Sequence, residues 1–269
     1  MTFAILFPSI DPIAVELGPI AIRWYALAYI VGLVGGWQYI KRLTGKFPGE
    51  ISHEDVDDFL FWATIGVVLG GRIGYVLFYN FDYFMSHPIA IFQVWKGGMS
   101  FHGGFMGVVV SAFLFCKKRN LPLLTFGDLL ACGAPIGLFF GRIANFVNAE
   151  LFGRVTDVPW GVIFPNGGPE PRHPSQIYEA LMEGLILFIV MFVLSRNEAL
   201  RKRSGLFVGL FFAGYGVARS TVEMFRQPDV QIGFLSGGST MGQWLSVPMI
   251  LIGLVFIVVA FRKKPSEAV

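Results

Sequence analysis

The chain has 269 residues, of which 54% are hydrophobic and only 14% charged, against roughly 25% charged in an ordinary soluble domain. That excludes a water-soluble globule, and no polar, highly charged stretch points to disorder. With 21 Lys and Arg against 18 Asp and Glu the net charge is +3, and there are only two cysteines, Cys116 and Cys132; bulk-charge nucleic-acid binding, a disulfide framework and a Cys-rich metal site are excluded as well.

Residues 1–19 carry Asp11 and Glu16 but no Lys or Arg. That is not the pattern of a cleaved signal peptide, so the N-terminus is expected to remain in the mature protein. A spanning helix takes about 20 mostly apolar residues. Seven segments qualify: 20–40, 58–79, 98–116, 125–147, 176–195, 205–225 and 243–261. Basic residues alternate between their connections. Lys41, Arg42 and Lys46 follow the first, Lys117, Lys118 and Arg119 the third, Arg196, Arg201, Lys202 and Arg203 the fifth, and Arg262, Lys263 and Lys264 the seventh. Cytoplasmic loops retain positive charge. The pattern therefore predicts an all-α polytopic membrane protein with seven transmembrane helices, its N-terminus outside and its C-terminus in the cytoplasm. Residues 1–269 form one integral membrane domain in this reading. Of the two long outer connections, 80–97 and 148–175, the second is rich in Pro and Gly, with a strand-like stretch from Trp160 to Phe164; it predicts a small external subdomain. No internal repeat of the transporter kind is evident.

The remaining basic residues all map to the outer half. Arg23, Arg72, Arg142 and Arg219 lie inside apolar segments, where an unpaired charge costs at least about 2–3 kcal/mol. Snorkelling to the interface suits Arg23 and Arg72. Arg142 instead has polar company: Asn145 at i+3, then Asn148 and Glu150. Tyr215, Arg219 and Glu223 recur at i, i+4 and i+8, one face of the sixth helix. Arg219 and Glu223 form an internal ion pair on one reading and a functional site on the other. The readings are compatible.

His53 and His87 belong to solvated loops. His102 stands at the mouth of the third helix in Gly97-Gly98-Met99-Ser100-Phe101-His102-Gly103-Gly104, and His173 before the fifth in Arg172-His173-Pro174-Ser175-Gln176. A lone His is ordinarily structural. At the depth of two guanidinium groups His102 is also a candidate general base, because an unperturbed imidazole titrates near neutrality. The glycine pairs read as close helix packing, since no phosphate-loop or dinucleotide spacing occurs. Arginines at outer headgroup depth suit a doubly hydrogen-bonded grip on a phosphodiester, and the ligand there is a phospholipid. Inventory excludes a retinal lysine, a Gly-x-Ser-x-Gly nucleophile and clustered metal or haem ligands. Neither cysteine lies toward the outside, so in a group transfer the nucleophile arrives with the substrate.

The run Gly141-Arg142-Ile143-Ala144-Asn145-Phe146-Val147-Asn148-Ala149-Glu150-Leu151-Phe152-Gly153 resembles the signature of bacterial prolipoprotein diacylglyceryl transferases. Arg23-Trp24-Tyr25, Gly70-Gly71-Arg72-Ile73-Gly74-Tyr75, Phe101-His102-Gly103-Gly104, Arg172 to Glu179 and Tyr215-Gly216-Val217-Ala218-Arg219 agree with it in order. The resemblance covers nearly the whole chain. It implies an inner-membrane enzyme, its site facing the periplasm, that moves the diacylglyceryl group of phosphatidylglycerol onto a lipobox cysteine of a prolipoprotein and releases glycerol phosphate; the missing ligand clusters lead us to expect no cofactor or metal. It places essential positions at Tyr25, His102, Arg142, Asn145, Glu150, Gly153, Tyr215 and Arg219, with Arg72, Glu179, Glu223 and Arg226 in support. The expected roles are His102 as base, Arg142 and Arg219 on the phosphate, and Tyr25, Tyr215, Asn145, Glu150 and Gly153 toward the lipid. The alternative is a non-catalytic phospholipid-binding or translocating protein built on the same arginines. That protein needs polar residues through the inner half of its helices, and Glu183 and Asp128 are exceptions in an apolar background.

Overall fold

The structure is a computed structural model that describes residues 4–8, 10–11, 13–18, 20–228 and 233–265. Short strands β1 (Ile5–Leu6), β2 (Ile13–Leu17) and β3 (Ile20–Arg23) precede helix α1 (Trp24–Leu43). Then come α2 (His53–Phe78), α3 (Phe81–Ser86), two short 3-10 turns, α4 (Phe101–Arg119), α5 (Leu123–Val147) and β4 (Val162–Ile163). Next is a continuous helical run in three parts: α6 (Ser175–Glu179), a π-helical turn (Ala180–Ile186) and α7 (Leu187–Ser195). The helices α8 (Glu198–Arg201), α9 (Leu206–Val222) and α10 (Met241–Arg262) complete the described order.

A helix or helical run lies in each of the seven expected segments, and the chain is a mostly helical membrane protein. Among the described residues, four helices, α2, α5, the run Ser175–Ser195 and α10, are long and apolar enough to cross a bilayer, and α9 is apolar but shorter. The all-α expectation is modified by the four strands. Residues 20–23 are not helical as expected but pair with β2, from Leu17↔Ile20 to Ile13↔Arg23; the Gly18-Pro19 turn signal and the β-branched Ile20 and Ile22 suit a strand better than a helix. Helix α2 starts earlier than expected because Ser52 caps it. Its hydroxyl accepts from Asp55 N at 3.1 Å and the Asp55 carboxylate accepts from Ser52 N at 2.9 Å, a reciprocal capping box.

The chain divides into two compact units, one from the residues up to Arg42 together with those from Asp128 onward, the other from Leu43–Gly127. In the second, α2 and α4 approach through small residues. A Cβ on Gly66 would lie 2.6 Å from Gly107 O, and one on Gly74 2.8 Å from Gly103 Cα, so the glycines do serve close packing. Phe59, Phe115 and Phe126 seal its other end with ring separations of 4.9–5.7 Å.

In the first unit, α5 also positions α9. Asp128, wholly buried, accepts from Gly205 N at 2.7 Å and Val208 N at 2.8 Å, satisfying amides that a helix start leaves without partners. A small apolar cluster gathers around Ala149, Val162 and Phe164, packed by Phe7, Phe146 and Phe152. The N-terminal strand β1 joins it, parallel to β4 with Ile5 opposite Val162, a contribution that no local pattern signals.

Candidate active site

Helix α5 carries Arg142 two turns inside a polar end, and the Ser175–Ser195 run approaches it closely. A Cβ on Gly184 would meet Phe139 Cα at 2.7 Å, so two backbones touch one turn before Arg142, which only glycine permits. This contact brings Glu183, in the π turn, under the arginine. Arg142 donates from Nε (3.2 Å) and Nη2 (3.0 Å) to Oε2 of Glu183, and its Nη1 lies 3.2 Å from Oε2 of Glu179. On α9, Arg219 donates from Nη1 to Oε1 of Glu179 at 2.6 Å and from Nη2 to Glu223. Its Nη1 is 3.6 Å from Oε1 of Glu183. Arg226 adds contacts of 3.7 Å to Glu179 and 3.6 Å to Glu223. Thr240, which caps α10, donates its hydroxyl to Oε2 of Glu223 at 2.6 Å.

Three arginines thus alternate with three glutamates, and the cluster's formal charge sums to zero. Charge in an apolar interior survives through such pairing. The layering is ordered: the side chains of Glu179 and Glu183 are 0% exposed, those of Arg142 and Arg219 17% and 13%. The expected ion pair of Arg219 with Glu223 is formed. Glu183, read from the sequence only as a polar exception, is a full member. Its i+4 spacing from Glu179 in an apolar helix was the available signal.

Beyond α5 the chain makes a tight turn in which Ala149 (φ 53°) and Leu151 (φ 57°) both adopt the left-handed conformation, costly for residues with a Cβ. Surrounding bonds impose it. Asn145 Nδ2 donates to Oε1 of Glu150 at 2.7 Å, Gln176 Nε2 to the Glu150 carbonyl at 2.6 Å, and the Ser175 hydroxyl to the Leu151 carbonyl at 3.0 Å. Gly153 follows in a crowded place: a Cβ would lie 2.5 Å from Phe225 O and 2.7 Å from His173 O. Its lack of a side chain lets three backbone segments meet, with Gly153 N donating to His173 O at 2.8 Å and Arg154 N to Phe225 O at 2.8 Å. Tyr25 and Tyr215 are both charge neighbours of Arg142. The hydroxyls of Tyr25 and Tyr29 lie 3.1 Å apart, and Tyr215 stacks on Phe211 with centroids 6.0 Å apart.

Next to this turn, Trp160 Nε1 donates to the Tyr178 hydroxyl at 2.6 Å, and that hydroxyl lies 3.2 Å from His173 Nδ1. The indole only donates, so the hydroxyl proton is free to go to Nδ1. With that proton on the shared bond, Nδ1 accepts, the arrangement that suits a neutral imidazole. Burial, aided by the Arg154 charge, lowers its pKa below the usual histidine value.

Arg72 and His102 belong to the second unit. The expected snorkelling of Arg72 is not what the structure shows: it is buried. Its Nε donates to Ile91 O at 2.7 Å, Nη1 to Gly97 O at 2.6 Å and Gly98 O at 3.1 Å, and Nη2 to Ala90 O at 2.6 Å. A folded-back segment offers its carbonyls in place of water. The same segment leads into α4, whose N-cap Ser100 accepts from Gly103 N at 3.2 Å, leaving His102 exposed in the first turn. Arg23 is exposed at the end of β3.

Comparison with known proteins adds the context of this geometry. Residues 12–259 match the family model for prolipoprotein diacylglyceryl transferase. The phosphatidylglycerol–prolipoprotein diacylglyceryl transferase of Rhodospirillum rubrum is 58% identical over 267 residues, covering 98% of this chain and 97% of its own. Its namesake in Paramagnetospirillum magneticum is 58% identical over 269 residues, 100% of both chains, and that of Nitrobacter hamburgensis 55% identical over 276, covering 100% and 94%. With a charge-balanced cluster of arginines inside an apolar fold and full-length identity of this degree, the chain belongs to the prolipoprotein diacylglyceryl transferase family.

Proposed function

We propose that this chain transfers the diacylglyceryl group of phosphatidylglycerol to the thiol of a lipobox cysteine in a prolipoprotein, forming a thioether and releasing glycerol phosphate. Its full-length likeness to the transferases supports the reaction. The layering of Arg142 and Arg219, 17% and 13% exposed, over fully buried carboxylates carries the site assignment. Among the described residues, Arg142 gives two of its N–H groups to Glu183 and points Nη1 at Glu179. A guanidinium has five, so donors remain for a phosphate.

In this reading the sulfur attacks a glycerol carbon, the S–C bond forming as the C–O bond to phosphate breaks, and the bonding pair leaves with the phosphate. His102 takes the thiol proton, a contribution of about 10²–10⁴-fold. Arg142 and Arg219 stabilise the charge that grows on the leaving group, at about 2–4 kcal/mol per donor. Tyr25 and Tyr215 contact the lipid headgroup. Asn145, Glu150 and Gly153 hold the turn beside it, Glu179, Glu223 and Arg226 frame the arginines, and Arg72 secures the start of the helix bearing His102. Seven helices cross the bacterial inner membrane with the N-terminus and the site on the periplasmic side and the C-terminus in the cytoplasm, as the alternation of basic connections supports.

The test incubates detergent-purified protein with headgroup-labelled phosphatidylglycerol and a lipobox peptide. Labelled glycerol phosphate is expected with the cysteine peptide and not with its Cys→Ser counterpart, and His102→Gln should lower the rate and flatten its pH dependence. Lipid binding without release across several detergents would favour the non-catalytic alternative.

A further inference from the structure

We infer that Glu183 is a positioning residue for the transfer reaction, fixing the guanidinium of Arg142 from beneath; the inference rests on the functional reading above. Glu183 is 0% exposed, so it meets no substrate itself. Both Nε and Nη2 of Arg142 donate to its Oε2, at 3.2 and 3.0 Å, which occupies one edge of the guanidinium and fixes the plane of the rest. Its Oε1 is buried without a hydrogen bond among the described residues and lies 3.6 Å from Nη1 of Arg219. One carboxylate therefore spans both arginines, and its anchoring sets how they stand to each other.

The π-helical turn Ala180–Ile186 carries Glu183, and the contact of Gly184 with the backbone at Phe139 seats that turn against α5. Such single π turns recur at functional sites. Glu183 thus starts from a rigid, buried platform, which is what holding a charged side chain in a productive orientation requires.

Charge balance separates positioning from binding. With three arginines and three glutamates the vacant cluster is neutral, and a phosphodiester adds one negative charge. Glu183→Gln makes the vacant cluster +1 and the lipid-loaded one neutral, so the anionic lipid binds at least as well. Arg142 meanwhile loses its charged acceptor and aims less well at the departing phosphate. A residue that merely ties α5 to the π turn would instead lower thermal stability without separating the kinetic constants.

The experiment measures kcat, KM for phosphatidylglycerol and the melting temperature of the full-length protein in detergent, for wild type, Glu183→Gln and Glu183→Asp. The inference expects Glu183→Gln to melt close to wild type, with kcat reduced at least about tenfold and KM unchanged or lower. Glu183→Asp, which keeps the charge but shortens the reach, should fall between. An unchanged kcat in folded Glu183→Gln overturns the inference, as does a raised KM at unchanged kcat. Loss of the melting transition in both variants overturns it too, making Glu183 purely structural. A wild type that releases no glycerol phosphate overturns the transferase reading and this inference with it, whereas active wild type beside an equally active variant overturns only the role of Glu183.

Discussion

Arg219 donates to Glu179 at 2.6 Å from the same guanidinium that reaches Glu223, so one planar fork links the Ser175–Ser195 run to the end of α9. A lysine ammonium has its three donors on one nitrogen and lacks the fork's fixed plane and span, so it holds the two carboxylates less well. Arg219→Lys should therefore lose at least about 10²-fold in transfer rate despite keeping its charge. Initial rates on protein with a normal melting transition check this; near-normal activity would mean that charge alone suffices.

Asp128 bears on stability rather than chemistry. Its buried carboxylate holds the amides of Gly205 and Val208. Asp128→Ala leaves them unpaired in an apolar interior, at a cost of about 1–3 kcal/mol, and Asp128→Asn, which keeps one acceptor, should cost less. Thermal unfolding in detergent measures both. Equal stability of the alanine variant and wild type would contradict the cap.

Gly153→Ala pushes a methyl against carbonyls of Phe225 and His173, both backbone and unable to swing aside. Overpacking of this kind costs about 1–3 kcal/mol, and the displaced turn carries Glu150. Stability and transfer rate should fall together. A variant that retains both would show that the three segments have slack.

His173 predicts a pH dependence. Its pKa is lowered in the folded chain by burial and the Arg154 charge, so the unfolded chain binds the proton more readily. The stability held by the neutral imidazole is complete above about pH 6.5. It is lost as pH falls from there through the lowered folded value. Melting temperatures between pH 7.5 and 5 should decline in wild type, and less steeply in His173→Gln; parallel curves would remove His173 as the cause.

Much of this arrangement is legible in the sequence where it depends on local period. Tyr215, Arg219 and Glu223 share a face by spacing alone, and the polar run from Arg142 to Glu150 interrupts an apolar helix too abruptly to face lipid. Other parts depend on which distant segments meet. Glu183 joins the cluster because Gly184 lets a π turn touch α5. Arg72 is buried because residues 90–98 fold back to offer carbonyls. The pairing of β1 with β4 joins residues 5 and 162. Apart from the i+4 spacing of Glu183 from Glu179, none of these has a periodic signature, and each replaces water or lipid by a partner remote in the chain.

The central claim, that Arg142 on its carboxylate platform promotes diacylglyceryl transfer to a thiol, is tested most directly by mass spectrometry of a lipobox peptide incubated with phosphatidylglycerol and either wild type or Arg142→Ala. The account predicts a diacylglyceryl mass gain on the cysteine with wild type and its loss with the folded variant. A mass gain of equal rate with Arg142→Ala would contradict it.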